Sequence, residues 1–471
     1  MGVLIMLLKT FKNFFNKKSL VILSGFLILF WIWSSESERS LEEIQNSGKL
    51  IVLTRNAPTT YYFDSNEQAT GPEYEMVEAF ARHLGVKTEY RVHHTVHEIL
   101  VALEKGLGDV AAAGMPKTEI GNTRFLFGPV YQEIQQQIVC RNDLNHVREE
   151  NDLLGLKLVV PKNSSYEEAL NRFKKKLPDL VWESSEDMNS EQLLEKIWRA
   201  EVDCTAVDSS ISSINRRYFP ELIVAFGLTQ TEPLAWVLQP GSHDLQKALE
   251  KWFKEFNSSG DMSQIREKYY GFIRKFDFVD TVAFHKAIEI RYPKYQYQFE
   301  KAAQQHNLDK FLLAAHSYQE SHWKPKARSP TGVRGIMMLT LPTAKSLGVK
   351  SRLNPYENIM AGAKHFSDLL KTFNDEVKDP DRTWLALAAY NVGRGHLHDA
   401  QELARRMGKN PDLWSDLREV LPLLSNKKYY KTLKYGYARG REPVRYVQRI
   451  RNYRDILENK LNQEPGTEKR G

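Results

Sequence analysis

The periodicity of the chain changes once, and that change limits what it can fold into. From Lys49 to about Tyr270, short β-type runs alternate with amphipathic segments. KLIVLT is followed by PEYEMVEAFARHLG, then KTEYRVH, VHEILVALEKG and DVAAAG. In the first amphipathic segment, Met76, Val77, Phe80 and Leu84 recur at helical spacing, and Gly85 closes it. The alternation resumes after QQQIVC with LKLVVP, YEEALNRFKKKL, LVWE, SEQLLEKIWRAE and CTAVD, enough for two α/β lobes. Beyond Arg274 to Asp280, RKFDFVD, every periodic segment is helical. The fold class expected is therefore multidomain: an N-terminal two-lobed α/β domain followed by an all-α domain.

Length agrees, since 471 residues are too many for one ordinary core. A formal charge of +7 suits an anionic partner. The N-terminus narrows that choice. Lys9, Lys12, Lys17 and Lys18 precede the apolar run Leu20 to Trp33, and SSESERS follows. This reads as an export signal over residues 1–37, with Ser35 and Ser37 at a small-x-small cleavage site. The rival reading is an uncleaved anchor with Trp31 and Trp33 at the membrane interface. Either places the bulk of the chain outside the cytoplasm and disfavours nucleic acid. Cys140 and Cys204 could pair there, but two buried thiols are as good a reading. The tail over 463–471 is polar and reads as disordered.

The chemistry concentrates in ESHWKPKARSPTGVRGIMMLTLPTA, Glu320 to Ala344. Glu320 ends the apolar helical run DKFLLAAHSYQES and shares a face with Leu313, His316 and Ser317. A Pro- and Gly-rich loop follows it, then a helix start with Pro in its first turn. A carboxyl held among apolar neighbours is pushed towards its protonated form and can serve as a general acid. The competing reading is a capped or surface Glu. His316, Glu320 and His322 make H-x3-E-x-H, which lacks the spacing of the zincin motif; neither a metal nor another cofactor is expected. Lys427 to Arg454 carries ten Lys/Arg and six Tyr against the single acid Glu442. Outside the cytoplasm that suits a glycan bearing carboxylates, although a solvated helix face explains most of these residues.

The first half resembles the family-3 extracellular solute-binding proteins of the periplasm. The resemblance rests on KLIVLTRNAPTTYYF, GPEYEMVEAFARHLG, LEKGLGDVAAAGMPKTEIG, FGPVYQEIQQQIVCR and AEVDCTAVDS. It implies a periplasmic-binding-protein-like domain over 38–275, non-catalytic and regulatory. The family clamps an amino-acid carboxylate with an Arg that ends a T-x-x-R element. Here TEIG puts Gly121 in that place, and Arg124 lies three residues further on. Asp203 and Asp208 fall where the family often finds an ammonium partner, but read first as caps. A peptidoglycan fragment, a muropeptide, is the ligand expected instead of an amino acid.

The second half resembles the soluble-lytic-transglycosylase domain, a lysozyme-like α fold, expected over 276–462. The residues carrying this are the Glu320–Ala344 stretch, ALAAYNVGRG and EPVRYVQRIRNY. Together with the preceding domain, GVRGIMML and YYKTLKYGYARG resemble one membrane-bound subfamily of lytic murein transglycosylases. The resemblance implies non-hydrolytic cleavage of the β-1,4 bond between N-acetylmuramic acid and N-acetylglucosamine, giving 1,6-anhydromuramoyl ends. Glu320 would act first as acid and then as base. Ser329 would hydrogen-bond the 2-acetamido group, Met337 would line the cleft floor, and Tyr390, Asn391 and Tyr446 would shape the sugar sites. It also implies a peripheral position on the inner face of the outer membrane, with an inner-membrane anchor as the alternative. Two residues depart from the broad pattern. Met338 replaces a Gln, and His316 stands where an apolar or small residue is expected, read here as hydrogen-bonded to a neighbour. The competing functions are an inactive peptidoglycan-fragment sensor and a hydrolytic lysozyme with a second carboxylate.

Overall fold

The structure, a computed structural model, describes residues 39–63, 67–117, 124–271, 278–329 and 332–463. The expected export segment, Gly121, most of the junction at Arg274 and the tail beyond Gln463 lie outside these. The chain forms two compact units. Among the described residues, one comprises those up to Ile134 together with Thr231–Glu255, and the other those of Gln135–Gln230 and from Phe256 to Gln463.

In the first unit, strand Lys49–Arg55 pairs in parallel with Lys87–His93 along its whole length. It also pairs in parallel with Val110–Ala111, onto which Val237 and Leu238 add antiparallel. Parallel neighbours need a crossover, and helix Pro72–Leu84 supplies it. That helix starts on Pro72, buries Met76, Val77 and Phe80, and stops at Gly85 in the left-handed region. Leu53, Ile99, Leu103, Phe125 and Phe127 belong to one core cluster of this unit.

The α/β part of the second unit pairs Gln136–Cys140 antiparallel with Cys204–Asp208. Cys140 and Cys204 face each other in that register and are joined in a disulfide, so they are not two free buried thiols. A one-residue slip of register would have pointed them to opposite faces.

The helices of this unit that carry the argument lie from Phe278 onward and are numbered here α1 to α9. They are α1 Phe278–Ile290, α2 Gln296–His306, α3 Lys310–Ser321, α4 Leu341–Ser346, α5 Pro355–Leu370, α6 Asp381–Val392, α7 Arg394–Arg406, α8 Trp414–Val420 and α9 Arg441–Gln463. Asp309 starts α3 by accepting from the Phe311 and Leu312 amides. Leu312 through Tyr318 are all buried, as expected of a helix wrapped by others rather than lying on a surface. Helix α9 packs along α3 and along α6, and Tyr390 of α6 reaches His316 of α3. Phe284, Trp323, Phe366, Trp414, Val447 and Ile450 belong to the same core. Among the described residues, no helix is long and apolar enough to cross a membrane.

The α/β part is fastened to α8 and α9 by buried charges. Glu267, in helix Asp261–Tyr270, pairs with Arg451 of α9 and Arg418 of α8. Arg451 also donates to the Glu267 carbonyl at 2.7 Å. Arg217 pairs with Asp455 at 2.6 Å, and Tyr218 donates to the same carboxylate at 2.8 Å.

Candidate active site

Glu320 sits in the last turn of α3, with 14% of its side chain exposed. The helix ends two residues later at His322, whose φ of 53° turns the chain sharply. Trp323 then drops into the core and donates from Nε1 to the Ala314 carbonyl at 2.8 Å. The loop that follows is bound to the same helix. Ser317 and Ser321 both donate to the Ile336 carbonyl, at 3.0 and 2.7 Å. Two small hydroxyls on one face of α3 thus fix the returning chain beside Glu320.

The loop folds back on itself. Gly335 has φ of +93°, and a Cβ there would lie 2.1 Å from the Arg352 carbonyl. Only glycine meets both demands. Asn358 of α5 accepts from the Met337 amide at 2.7 Å and donates to the Arg352 carbonyl at 3.0 Å. Met337 is fully buried, with its side chain against Gly362. Its carbonyl accepts from the Tyr390 hydroxyl at 2.9 Å. Ser329 is half-buried, and its hydroxyl accepts from the Val333 amide at 3.1 Å, inside the loop. Asn391 is exposed at the end of α6.

The Tyr446 hydroxyl donates to Glu320 Oε1 from α9. Burial holds the Glu320 carboxyl up at about 7, and the Tyr446 hydrogen bond pulls it the other way. The carboxyl is therefore still substantially protonated at neutral pH, unlike an ordinary Glu. His316, one turn earlier, is fully buried, and neither ring nitrogen has a hydrogen-bond partner. The neighbour expected to bond it is not there. Its Nε2 is 4.0 Å from Glu320 Oε1. His322 is exposed and stacks on Tyr318, so the two histidines of H-x3-E-x-H occupy unlike places.

Glu320, Tyr446, Tyr390, Met337 and His316 thus converge through direct contacts, while Ser329 is tied into the overhanging loop. A buried carboxyl near its midpoint at neutral pH, flanked by a phenol, is equipped to give up a proton and take one back.

The chain matches two family models: bacterial extracellular solute-binding proteins, family 3, over residues 49–272, and the transglycosylase SLT domain over 297–413. It is 46% identical to membrane-bound lytic murein transglycosylase F 2 of Alkalilimnicola ehrlichii, over 88% of this chain and 93% of that one. The chain belongs to the membrane-bound lytic murein transglycosylase F family. Its relative in Saccharophagus degradans is 44% identical over 90% of this chain and 85% of its own. Among solved structures, an ancestral arginine-binding protein bound to arginine is similar over 47% of this chain and 98% of its own, at 24% identity and a TM-score of 0.44. Membership makes the chain a lytic murein transglycosylase, with a solute-binding-protein-like part before its helical SLT part.

In the solute-binding part, Arg124 is paired with Glu104. Asp203 accepts from the Lys157 amide at 2.8 Å, bracing a loop. Asp208 occupies a helix N-cap position, but its side chain makes no capping bond there, so the cap reading fails for it. A cluster that the sequence did not single out lies at Glu73. This buried carboxylate accepts from Tyr131 and from the Gly114 amide at 2.9 Å, and burial raises it to about 7. Glu73 sits in the first turn of its helix, where an acid is expected merely for the dipole. No periodicity separates that role from a buried one.

Proposed function

We propose that Glu320 cleaves the β-1,4 bond between N-acetylmuramic acid and N-acetylglucosamine without water. The observation that carries this reading is a single carboxyl raised to about 7 and bonded by Tyr446 in a site otherwise lined by phenol and imidazole. Protonated Glu320 gives its proton to the glycosidic oxygen as the C1–O bond breaks. The N-acetyl carbonyl oxygen of the muramoyl residue bonds to C1, forming an oxazolinium. Glu320, now a carboxylate, takes the proton of the C6 hydroxyl as O6 attacks C1 and reopens the ring. The products are a 1,6-anhydromuramoyl end and a free N-acetylglucosamine hydroxyl; Glu320 is protonated again. One group serves as acid and then base because its pKa lies near the working pH.

Ser329 is assigned to the 2-acetamido group, and Met337, Tyr390, Asn391 and Tyr446 to the walls and floor of the sugar sites. The catalytic domain is taken as 276–462, and 38–275 as a muropeptide-binding regulator. The chain is assigned to the periplasmic side and to a membrane, and the relatives' names, which say membrane-bound, support the attachment. Digestion of purified murein by wild type and Glu320→Gln, with mass analysis of the ends, tests the reaction. Anhydro ends from wild type and none from the variant are expected. Reducing ends carrying added water would overturn the non-hydrolytic route.

A further inference from the structure

His316 has no explanation in the chemistry above. Its ring is fully buried on α3, and neither nitrogen is hydrogen-bonded. An apolar side chain would fill the same space without burying two polar atoms, and burying them unpaired is costly. The ring is held edge-to-face by three aromatics, Tyr390 of α6 at 4.4 Å, Phe366 of α5 at 5.3 Å and Tyr446 of α9 at 5.8 Å between centroids. Within that cage Nε2 lies 4.0 Å from Glu320 Oε1, about 1 Å beyond a hydrogen bond. The titratable groups around it are Glu320 on its own helix, Tyr390, Tyr446 and, on α5, His365.

The distance has a chemical reading. A protonated Glu320 is satisfied by the Tyr446 hydroxyl and does not call for a second donor. An ionised Glu320 does, because a carboxylate accepts several hydrogen bonds and this one is shut away from water. We propose that His316 is a positioning residue for proton transfer at Glu320, donating its Nε2–H to the carboxylate formed once Glu320 has protonated the leaving oxygen, and releasing it when Glu320 is protonated again. The ring stays neutral throughout and transfers no proton. Burial and the nearby His365 hold it down to about 3. That matters, because an imidazolium at this distance would keep Glu320 ionised and remove the acid needed for the first step. A neutral donor steadies the carboxylate without trapping it.

The inference rests on Glu320 being the acid and base. The test compares the pH dependence of murein solubilisation in wild type, His316→Leu, His316→Gln and Glu320→Gln. His316→Leu keeps the volume but loses the donor. It should move the alkaline limb of kcat to higher pH and lower kcat about tenfold, with KM unchanged. His316→Gln retains an N–H donor and should restore most of both. Packing alone would predict that Leu is tolerated and leaves the limb unmoved, which would overturn the proposal. So would a Gln variant that behaves as Leu does. A measurement on the unsubstituted ring covers the case in which the variants fold poorly. The imidazole 15N signals of His316 in wild type should stay those of a neutral ring and move as Glu320 titrates; in Glu320→Gln they should be flat. Signals independent of pH in wild type would overturn it. Retained activity in Glu320→Gln would instead bring down the assignment of Glu320 itself.

Discussion

Tyr446 hydrogen-bonds Glu320 across 126 positions of sequence, from the first half of the long helix α9 to the last turn of α3. The phenol is itself buried, and its own ionisation is suppressed by burial and by the Glu320 charge, so it keeps the proton it donates to Glu320. Its effect on Glu320 is opposite to that of burial. The pKa near 7 is the balance of the two.

Removing the phenol tilts that balance. Tyr446→Phe should raise the Glu320 pKa further and shift the alkaline limb of activity upward by about one to two units, since a hydrogen bond to a charged group contributes about 1.5–3 kcal/mol. Activity at neutral pH should fall, because the carboxylate needed for the second step is less well stabilised. A pH–rate profile of murein solubilisation checks both; a limb that stays in place contradicts the assignment.

Stability should carry the same signature. Glu320 has a folded pKa raised from 4.5 to about 7, so the folded state holds a proton that the unfolded chain has lost. For a raised carboxyl, stability is highest below the unfolded value and declines as pH rises towards the folded one. Glu320→Gln removes that decline. Its stability advantage over wild type should open between pH 4.5 and 7 and reach about 3 kcal/mol. Denaturant unfolding of both proteins at pH 5 and pH 8 measures it, and equal differences at the two pH values would contradict the raised pKa.

Glu267 pairs with the buried Arg451 and the half-buried Arg418, so removing it takes the carboxylate from both and leaves Arg451 a buried charge without it. Glu267→Ala should lower stability by about 3–5 kcal/mol. Adding Arg451→Leu should recover part of that loss, because one stranded charge is gone. Thermal unfolding of the single and double variants gives the comparison. A double variant less stable than Glu267→Ala would show that Arg451 contributes chiefly by other contacts.

Gly335→Ala should damage the site without touching Glu320. The new methyl would meet the Arg352 carbonyl and the Asn358 amide, and the backbone is in the left-handed region. The loop would have to shift, moving the Met337 carbonyl that bonds Tyr390. A loss of about 2–4 kcal/mol in stability and at least tenfold in kcat is expected. Wild-type values in both would mean that the loop relaxes freely.

Much of the site could be read locally. Asp309, the apolar run of α3, Pro342 and the glycines are short-range signals, and they place Glu320 at a helix end beneath a loop. The switch of periodicity likewise separates an α/β part from a helical one. What stayed hidden were relations between distant segments, each decided by packing. Cys140 and Cys204 pair because of strand register. Tyr390 bonds the Met337 carbonyl from 53 positions away. Asp208 lacks its capping bond, and His316 lacks its expected neighbour.

By itself, the sequence determined which residues could do chemistry and on which elements they lie, because helix caps, turns and apolar spacing act within a few residues of one another. Only the tertiary structure decided what Glu320 is. Its pKa depends on water excluded by α3, α6 and α9 together and on a phenol 126 positions away. Desolvation belongs to the assembled core and is carried by no single segment of the chain.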